Sequence, residues 1–532
     1  MTDTANSIIQ RWSELLSERS AREDKWRKLV RYFFPQEAEN WGVNPDGPPT
    51  SPTVDDTGRE VLDNLVAGLD EMLFRRDPFE VVPRDDRAME MGGYAAEWAA
   101  YATHNLNAAI DHPRSGWTTA RQSVLRSTAG LGHGCMFISD VPGKHLICKY
   151  EPASEIVIGE NAYGIVDTRM RRYPMTVRQV VETWGDRASP RVRQRLEKYP
   201  GEKVTILHSV HPRWEVPGAS RTRMPWASVY IEEDTKHLLD EGGFIEFPFV
   251  VPRWDRSGCS AYGWSPGMTV LDEVIRVNAM GRTNLKAGQY TAEPEVYVPD
   301  GMFRRGLSQA RRPGAVHSYS TNVAAANAEV RKWPSAEGLP FLLEYEHDRR
   351  NAIREAYFYF LLQPPESPNM TATEWIGRRQ QMARRMGAPV GRLEQEMAEP
   401  AGKRFFGLLI RAGVIEPPQE GSFADYDVEF RSVISQGKEL AVAESIQRTL
   451  EGAALVAQFD PRAAAVVDSE ETIRELAKAF GAPLKVLASR ERVQAMREAE
   501  AKQQQMAALG QTAITGATVA KLAADAESTY AG

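Results

Sequence analysis

The chain has 532 residues, enough for two to four domains with sizeable cores. Hydrophobic residues make up 42% of it and charged residues 26%, a balance typical of a soluble globular protein. The formal net charge is only −7, which excludes the class of proteins that coat nucleic acid through a strongly basic overall charge.

The cysteines and the amino terminus indicate the compartment. Cys135, Cys148 and Cys259 are too few and too widely spaced for a disulfide framework, so they favour a reducing environment. The opening residues MTDTANSIIQRW lack the basic and apolar regions of a signal peptide. No apolar run approaches the roughly 20 residues that a membrane helix needs. We therefore expect a protein made and assembled in the cytoplasm.

The first half of the chain reads as helices followed by strands. Apolar residues at helical spacing predict helices at Ile8–Phe34, Thr57–Phe74, Tyr94–Ile110 and Trp117–Leu131. Short alternating runs then predict antiparallel strands from Cys135 to Tyr173 and again from Val204 to Val251. The predicted fold class is therefore α+β.

Two long helices are expected to flank a small mixed insert. The helical period returns at Gly267 and continues to Gln289, a helix of about 33 Å at 1.5 Å per residue. Prolines interrupt the pattern between Ala292 and Pro334, where the run EVYVP reads as a strand. The second helix, Leu339–Leu362, is apolar enough to be buried against neighbours. Beyond Gln436 the chain is Ala-rich and helical, and its final segment has few large apolar groups, which favours mobility.

The clearest start signals lie in the segment from Gln363 to Pro418. Its first prolines cannot continue the preceding helix. Thr371 and Glu374 then form a T-x-x-E capping box, in which each side chain satisfies a backbone donor of the next helix. A short rigid loop between two long helices is suited to placing residues at a fixed point.

The stop signals of the same segment predict two helices. The first should end at Met386, because Gly387 and Pro389 follow it. The second should reach Arg411, with a bend near Pro400.

Two glycine-rich motifs partly match known catalytic or phosphate-binding motifs. Residues 263–267, GWSPG, match the nucleophile elbow G-x-S-x-G. The elbow uses the backbone N–H after the serine as an oxyanion donor, and Pro266 has none, so Ser265 is not expected to be catalytic. Proline is instead favoured as the first residue of a helix. Residues 130–134, GLGHG, lack the Lys and Ser or Thr of a phosphate loop and predict a helix exit.

Metal and carboxylate chemistry is also disfavoured. Four potential metal ligands stand close in sequence: His133, Cys135, His145 and Cys148. Their spacing matches no familiar zinc pattern, and on strands they would partly point to opposite faces. Adjacent acids occur at Asp55–Asp56 and Asp85–Asp86, but neighbouring strand residues also diverge, so neither pair is a natural two-carboxylate site. We predict no metal, no cofactor and no catalytic residues.

The segment from Gln363 to Pro418 closely resembles the portal, or head-to-tail connector, proteins of short-tailed bacteriophages. The resemblance rests on MTATE at Met370–Glu374, PVGRLE at Pro389–Glu394 and GVIEPP at Gly413–Pro418. WSPGMTVL at Trp264–Leu271, followed by the Glu293, Pro294 pair, looks like the family's entry into its stem. Residues that look like its amino-terminal half are Trp26, Asp55, Asp56, Ala67, Gly68 and Leu69. The resemblance covers roughly residues 8–500 and is weakest at Phe303–Pro334 and beyond Gly481.

The resemblance implies a portal fold and a division of the chain. The expected parts are an α+β wing body (1–264), a first stem helix (265–290), a clip (291–335), a second stem helix (336–362), a tunnel loop (363–370), wing helices with a return strand (371–436) and a mainly helical crown with a mobile tail (437–532). The tunnel loop closest to DNA would comprise Gln363, Pro364, Pro365, Glu366, Ser367, Pro368 and Asn369.

The resemblance also implies partners and a location. Identical subunits, twelve in the family, would form a ring around double-stranded DNA at one vertex of the virion, after assembly in the host cytoplasm. Further expected partners are the terminase large subunit, a tail adaptor, and the major capsid and scaffolding proteins, with no membrane. A mildly acidic channel wall would let DNA slide without binding its phosphates, although ordinary surface charge explains the net charge of −7 equally well. Alternative readings are a hydrolase, a metal nuclease, or a tail or neck adaptor, which is usually smaller.

Basic residues concentrate in the expected stem and clip. They are Arg276, Arg282, Lys286, Arg304, Arg305, Arg311 and Arg312. Each could contact DNA or a neighbouring subunit, and a solvated helix face with ion pairs between subunits is the favoured reading. A second cluster comprises Arg378, Arg379, Arg384 and Arg385, for which pairing with acids of an adjacent subunit is expected.

Overall fold

The computed structural model describes residues 2–42, 53–74, 77–84, 94–141, 144–213, 224–256, 258, 260–299, 312–320, 330–332, 339–362, 384–418, 425–457 and 468–479, with four single residues between 493 and 502. The chain divides into a first compact unit, Met1–Arg75 with Asp111–Arg404, and a second unit, Arg76–Ile110 with Phe405–Gly532. Helices and antiparallel strands are both abundant, so the predicted α+β class is confirmed.

Helix α1, Thr2–Phe33, packs against a sheet and against helices of the first unit. Ile8, Trp12 and Leu15 recur at helical spacing and are buried against one face of a sheet. Farther along, the fully buried Trp26 donates its indole N–H to the carbonyl of Leu131 at 2.8 Å. One continuous helix therefore joins the sheet to the helical layer.

The helices of the amino-terminal part of the chain follow the sequence prediction with one insertion. Helices α2 (Thr57–Leu73), α3 (Tyr94–Asp111) and α4 (Trp117–Leu131) lie where they were expected. Strand β1, Phe79–Pro83, separates α2 from α3, so the predicted order of helices first and sheet after is wrong there. It pairs antiparallel with a strand at Tyr426–Phe430, and a partner so distant in sequence leaves no local signal.

The sheet under α1 has five antiparallel strands in sequential order. They are β4 (Ile156–Glu160), β5 (Val166–Thr176), β6 (Lys203–Pro212), β7 (Trp226–Glu232) and β8 (His237–Phe244). A smaller sheet pairs β2 (Met136–Val141) with β3 (Lys144–Tyr150) and β9 (Phe249–Val250). The prediction of antiparallel strands in both regions is confirmed.

Two short helices cover the other face of the five-stranded sheet. Helix α5, Val177–Trp184, and helix α6, Pro190–Arg195, bury their apolar residues against β6 and β8. Sequence reasoning missed both. The capping box at Thr176 and Gln179 could have revealed α5, because each residue's backbone N–H donates to the other's side chain, at 2.9 and 3.2 Å.

The long helices predicted after residue 265 are present, but the second is interrupted. Helix α7 spans Pro266–Ala292. Helix α8, Leu339–Ala356, and helix α9, Tyr359–Leu362, replace the single predicted helix, because Phe358 takes a left-handed φ of 56°. The preceding Tyr357 is fully buried and stacks on Phe33, with ring centroids 6.0 Å apart. Burying this ring accounts for the break in the helix.

Between α7 and α8, the described residues form a small three-stranded sheet. Strand β10, Val296–Pro299, is central, with β11 (Val316–Tyr319) parallel and β12 (Arg331–Lys332) antiparallel to it. The strand predicted at EVYVP is therefore confirmed.

The predicted helix end at Met386 is wrong. Residues 384–393 are helical through Gly387 and Pro389, and a π-helical turn, Glu394–Ala398, leads into α10, Glu399–Arg411. Met386, Val390 and Leu393 are buried at helical spacing, and this burial outweighs the local cost of proline. The bend predicted near Pro400 stays a prediction, and the π turn lies just before that residue.

The π turn keeps the buried stripe on one helix face. Met386 and Ala398 are both fully buried, and in a regular helix they would lie about 120° apart at ~100° per residue. A π turn accommodates one extra residue, which brings them to within about 20° of each other.

The second unit is built around β1 and its partner β13, Tyr426–Phe430. Asn107 of α3 donates to the carbonyl of Phe79 at 2.7 Å. Trp98 packs on Tyr426, with ring centroids 4.3 Å apart, and donates to the carbonyl of Glu416 at 3.0 Å. Helices α11 (Val433–Ala457) and α12 (Ser469–Ala479) follow, which agrees with the predicted helical carboxyl-terminal region.

Candidate functional site

Helices α7 and α8, the candidate stem, share a buried polar network. Asn278 is fully buried, and its Oδ1 accepts from the backbone N–H groups of Val54 and Asp55 at 3.0 and 3.1 Å. Asp55 also accepts from Arg350 Nε at 2.8 Å, and Arg350 pairs with Glu346 at 2.5 Å. The segment before α2 is thereby fixed against both helices, and the Asp55 carboxylate is buried with Arg350 as its partner.

The same two helices expose large apolar side chains. Leu285 of α7 is 57% exposed, and Phe341, Leu343 and Tyr345 of α8 are 69%, 52% and 40% exposed. Phe341 and Tyr345, one helical turn apart, stack with their centroids 6.4 Å apart. A cluster of this kind is typical of a surface that another protein surface covers.

The predicted basic residues of α7 lie on its accessible side. Arg276 is exposed and pairs with Glu273 of the same helix at 2.8 Å, Arg282 is half-buried, and Lys286 is exposed. Arg312 is also exposed. Arg304, Arg305, Arg311 and the whole loop Gln363–Asn369 lie outside the described residues, as does the capping box at Thr371 and Glu374.

The second basic cluster is described only in part. Arg384 and Arg385 are exposed, and Arg385 lies 3.6 Å from Glu355 of the same chain. Arg378 and Arg379 lie outside the described residues.

Ser265 is a helix cap. Its side chain is fully buried, and its Oγ accepts from the backbone N–H of Met268 at 3.1 Å. The same hydroxyl donates to the carbonyl of Gly130 at 2.7 Å. Pro266 is the first residue of α7, as predicted. A buried hydroxyl with both roles filled is not available to a substrate.

The two glycine motifs form one backbone crossing. Gly132 ends α4 with a φ of 96°, and a Cβ placed on it would lie 2.4 Å from the carbonyl oxygen of Gly263. A Cβ on Gly267 would lie 2.7 Å from the carbonyl oxygen of Gly130. Both motifs therefore hold glycine because two chain segments approach without room for a side chain. The predicted helix exit is confirmed.

Three of the four potential metal ligands, His133, Cys135 and Cys148, are buried core residues. His133 lies between Trp26 and Tyr262, with ring centroids 5.1 and 5.0 Å away, and burial, with Arg19 and Arg22, lowers its pKa to about 3. Burial raises the pKa of Cys148 to about 12 and that of Cys135 further. In the described ranges, no group of three or more His, Cys, Asp or Glu side chains could hold a metal ion. The His145 side chain and Cys259 lie outside them.

The other acidic candidates are described only in part. Asp56 lies at the surface and pairs with Arg59 on the first turn of α2. Asp85 and Asp86 lie outside the described residues. Among the helices that are described, none is both long and apolar enough to cross a membrane.

Arg253 connects three parts of the first unit. Its guanidinium donates to both carboxylate oxygens of Glu396 in the π turn, at 2.6 and 3.1 Å, and to Glu160 at 2.9 Å. It also donates to the carbonyl of Gly164 at 2.8 Å. Burial by itself would lower the pKa of Arg253, but the two carboxylates outweigh it and the pKa is raised. The π turn is therefore held by a charge-assisted network.

Sequence reasoning missed a cavity of about 700 Å³ on the face of the five-stranded sheet that carries α5. Its rings are Phe137, Tyr173, Trp184 and Tyr230, and its polar lining includes Lys149, Glu151, Arg171, Arg187, His208 and Asp240. His208 stacks on Tyr230 at 3.9 Å, and burial, then Arg169 and Arg171, lower its pKa. These residues come from six strands, one helix and the segments that join them, so no local sequence motif predicts the cavity.

Comparison with known proteins agrees with the resemblance seen in the sequence. Residues 5–487 match the family described as bacteriophage head to tail connecting protein. The chain is 26% identical over 530 residues to the portal protein of Salmonella phage epsilon15, covering 96% of this chain and 94% of the relative. It is 25% identical over 532 residues to the probable portal protein of Bordetella phage BPP-1, covering 97% and 94%. The chain therefore belongs to the bacteriophage head-to-tail connecting protein family.

Proposed function

We propose that this chain is a phage portal protein, a ring at one capsid vertex through which the genome is packaged and later ejected. The observation that carries the proposal is the family match, which runs continuously over residues 5–487. Two relatives that share nearly the whole length are named as portal or probable portal proteins. The family match covers most of the length of the chain, so the proposal assigns no part of it to a separate enzymatic domain.

The α7–α8 pair supports the ring. Leu285, Phe341, Leu343 and Tyr345 are exposed in one subunit, and a neighbouring subunit would cover them. A contact between two different surfaces of identical chains generates a closed ring when the rotation closes on itself. We assign twelve subunits from the family's usual assembly.

The proposed division of the chain keeps the expected boundaries. Residues 1–264 form the wing body, 265–290 and 336–362 the stem, and 291–335 the clip, which has the small sheet β11-β10-β12. Residues 363–370 form the tunnel loop, 371–436 the wing helices and return strand, and 437–532 the crown and tail. The clip would meet the terminase large subunit during packaging and a tail adaptor afterwards, while the body meets capsid and scaffolding proteins.

The proposed contacts with DNA are mainly steric. Only Glu366 is charged in the loop Gln363–Asn369, so a collar of these loops could surround the duplex without gripping its phosphates. Of the basic residues on α7, Arg276 already has an acidic partner at 2.8 Å, which favours ion pairing over phosphate binding at that position.

The test is the assembly of the purified chain. Electron microscopy and sedimentation should show closed rings of hundreds of kilodaltons without DNA. A stable monomer at micromolar concentration, with no rings on the grid, would contradict the proposal.

A further inference from the structure

The tip of the β4–β5 hairpin exposes two large apolar side chains. Tyr163 is 87% exposed and Ile165 is 62% exposed. They lie two residues apart in a turn whose polar groups are otherwise engaged. An exposed tyrosine beside an aliphatic residue is the usual composition of an anchor in a protein interface.

The tip is rigid before anything binds to it. Asn161 Oδ1 accepts from the backbone N–H groups of Tyr163 and Ile165 at 2.9 and 3.1 Å. Gly164, with a φ of 76°, donates to the carbonyl of Asn161 at 2.9 Å, and its own carbonyl accepts from Arg253 at 2.8 Å. Docking such a tip therefore loses little conformational entropy.

The cavity on the same sheet is a complementary concave surface. Its volume of about 700 Å³ lies in the range that holds a compact ligand, so a tyrosine and its aliphatic neighbour have room to enter. Four half-buried rings, of Phe137, Tyr173, Trp184 and Tyr230, offer edge and face contacts to an entering phenol ring. Asp240 and Lys149 in the lining can bond its hydroxyl.

A chain cannot fill this cavity with its own tip. Ile165 precedes β5 and Tyr173 lies near the other end of that strand, about 26 Å away at ~3.3 Å per residue. The strand is paired on both sides, with β4 and β6, so the hairpin cannot fold back. A hairpin tip that enters this cavity therefore belongs to another molecule.

We propose that the hairpin tip of one subunit docks, through Tyr163 and Ile165, into the aromatic cavity of the next subunit. The inference rests on the proposed ring, since a convex and a concave surface on one chain make the heterologous contact that a ring requires. It adds a second contact to the one expected at the α7–α8 face, and identifies the occupant as a second copy of this chain.

Cysteine cross-linking tests the contact. Tyr163→Cys is combined with Thr183→Cys, an exposed residue at the cavity rim on α5, and rings of the full chain are oxidised. The double variant should give a ladder of covalent oligomers up to the ring size, whereas each single variant and the native chain should give monomers. Dimers from Tyr163→Cys alone would indicate a tip-to-tip contact and overturn the proposal.

A matched substitution distinguishes docking from general surface effects. Tyr163→Ser should raise the concentration at which half the rings dissociate by at least tenfold. Tyr199→Ser, at a position that is 62% exposed outside the tip, should leave it unchanged. If the double variant forms intact rings that give no ladder, and the rings also tolerate Tyr163→Ser, this contact is refuted while the portal function stands. A native chain that forms no ring would refute both.

Discussion

Replacing Arg253 with methionine should destabilise the first unit by about 2–4 kcal/mol. The substitution keeps the apolar stem but removes the guanidinium, whose side chain is 3% exposed. Breaking a buried ion pair from one side costs about 3–5 kcal/mol. The estimate is lower here because Glu396 and Glu160 are 19% and 18% exposed and each keeps one donor, the amide of residue 253 and Arg256 respectively.

Thermal unfolding at a fixed scan rate measures the effect. At an unfolding entropy of about 2.1 cal/mol/K per residue, a loss of about 2–4 kcal/mol corresponds to a fall in melting temperature of roughly 3–5 °C in a unit of roughly 370 residues. The matched control is Arg172→Met, which removes an ion pair of similar length, 2.7 Å to Glu233, from a side chain that is 50% exposed. An exposed pair contributes about 0–1 kcal/mol, so the melting temperature of the control should fall by less than ~1.5 °C. Equal falls in the two variants would refute the assignment of Arg253 as the support of the π turn.

Three further outcomes are expected. Gly132→Ala should abolish soluble expression, because Gly132 has a φ of 96° and an added Cβ would lie 2.4 Å from the carbonyl oxygen of Gly263. The control is Gly288→Ala in α7, whose Cβ would meet no atom within 4 Å and which should raise stability by about 0.5–1 kcal/mol. Soluble yield and melting temperature check both outcomes. The pKa of His133 is about 3 in the folded chain and 6.5 in the unfolded chain, so the unfolded state binds the proton first. The stability contributed by the neutral histidine is complete above pH 6.5 and should fall as the pH drops from about 6.5 towards 3. Melting curves of His133→Phe should show a shallower fall, and an unchanged pH slope would contradict this. Shortening the loop Gln363–Asn369 should permit ring assembly and procapsid incorporation but impair completion of packaging or retention of DNA. If the shortened variant gives wild-type yields of full heads, this segment is not a tunnel loop.

The sequence predicted the elements whose signals are local. The helix at Trp117–Leu131 ends at a glycine, and α7 begins at a serine followed by proline, so their capping residues identify both boundaries. The same local rules were wrong at Pro389, where the buried residues Met386, Val390 and Leu393 outweigh the proline. Capping signals report local conformation, while burial depends on the rest of the fold.

The cavity and the β1–β13 pair could not be predicted from the sequence in the same way. Phe79 pairs with Phe430 across these two strands, and the sequence of neither strand indicates which strand it will pair with. The cavity likewise brings Phe137 near Trp184 and Tyr230 only after the sheet has formed. The basic residues of α7 were placed correctly on a helix, but their partners, such as Glu273 for Arg276, depend on side-chain geometry.

The π turn also has a consequence for insertions and deletions in this helix. Because Glu394–Ala398 accommodates one residue more than an α-helical turn, losing a single exposed residue such as Gln395 would convert it into a regular turn and leave the buried residues on either side in phase. Adding a residue at the same place would rotate one side by about a further 100° and bring apolar residues to the surface. Related chains should therefore differ here by deletions more often than by insertions.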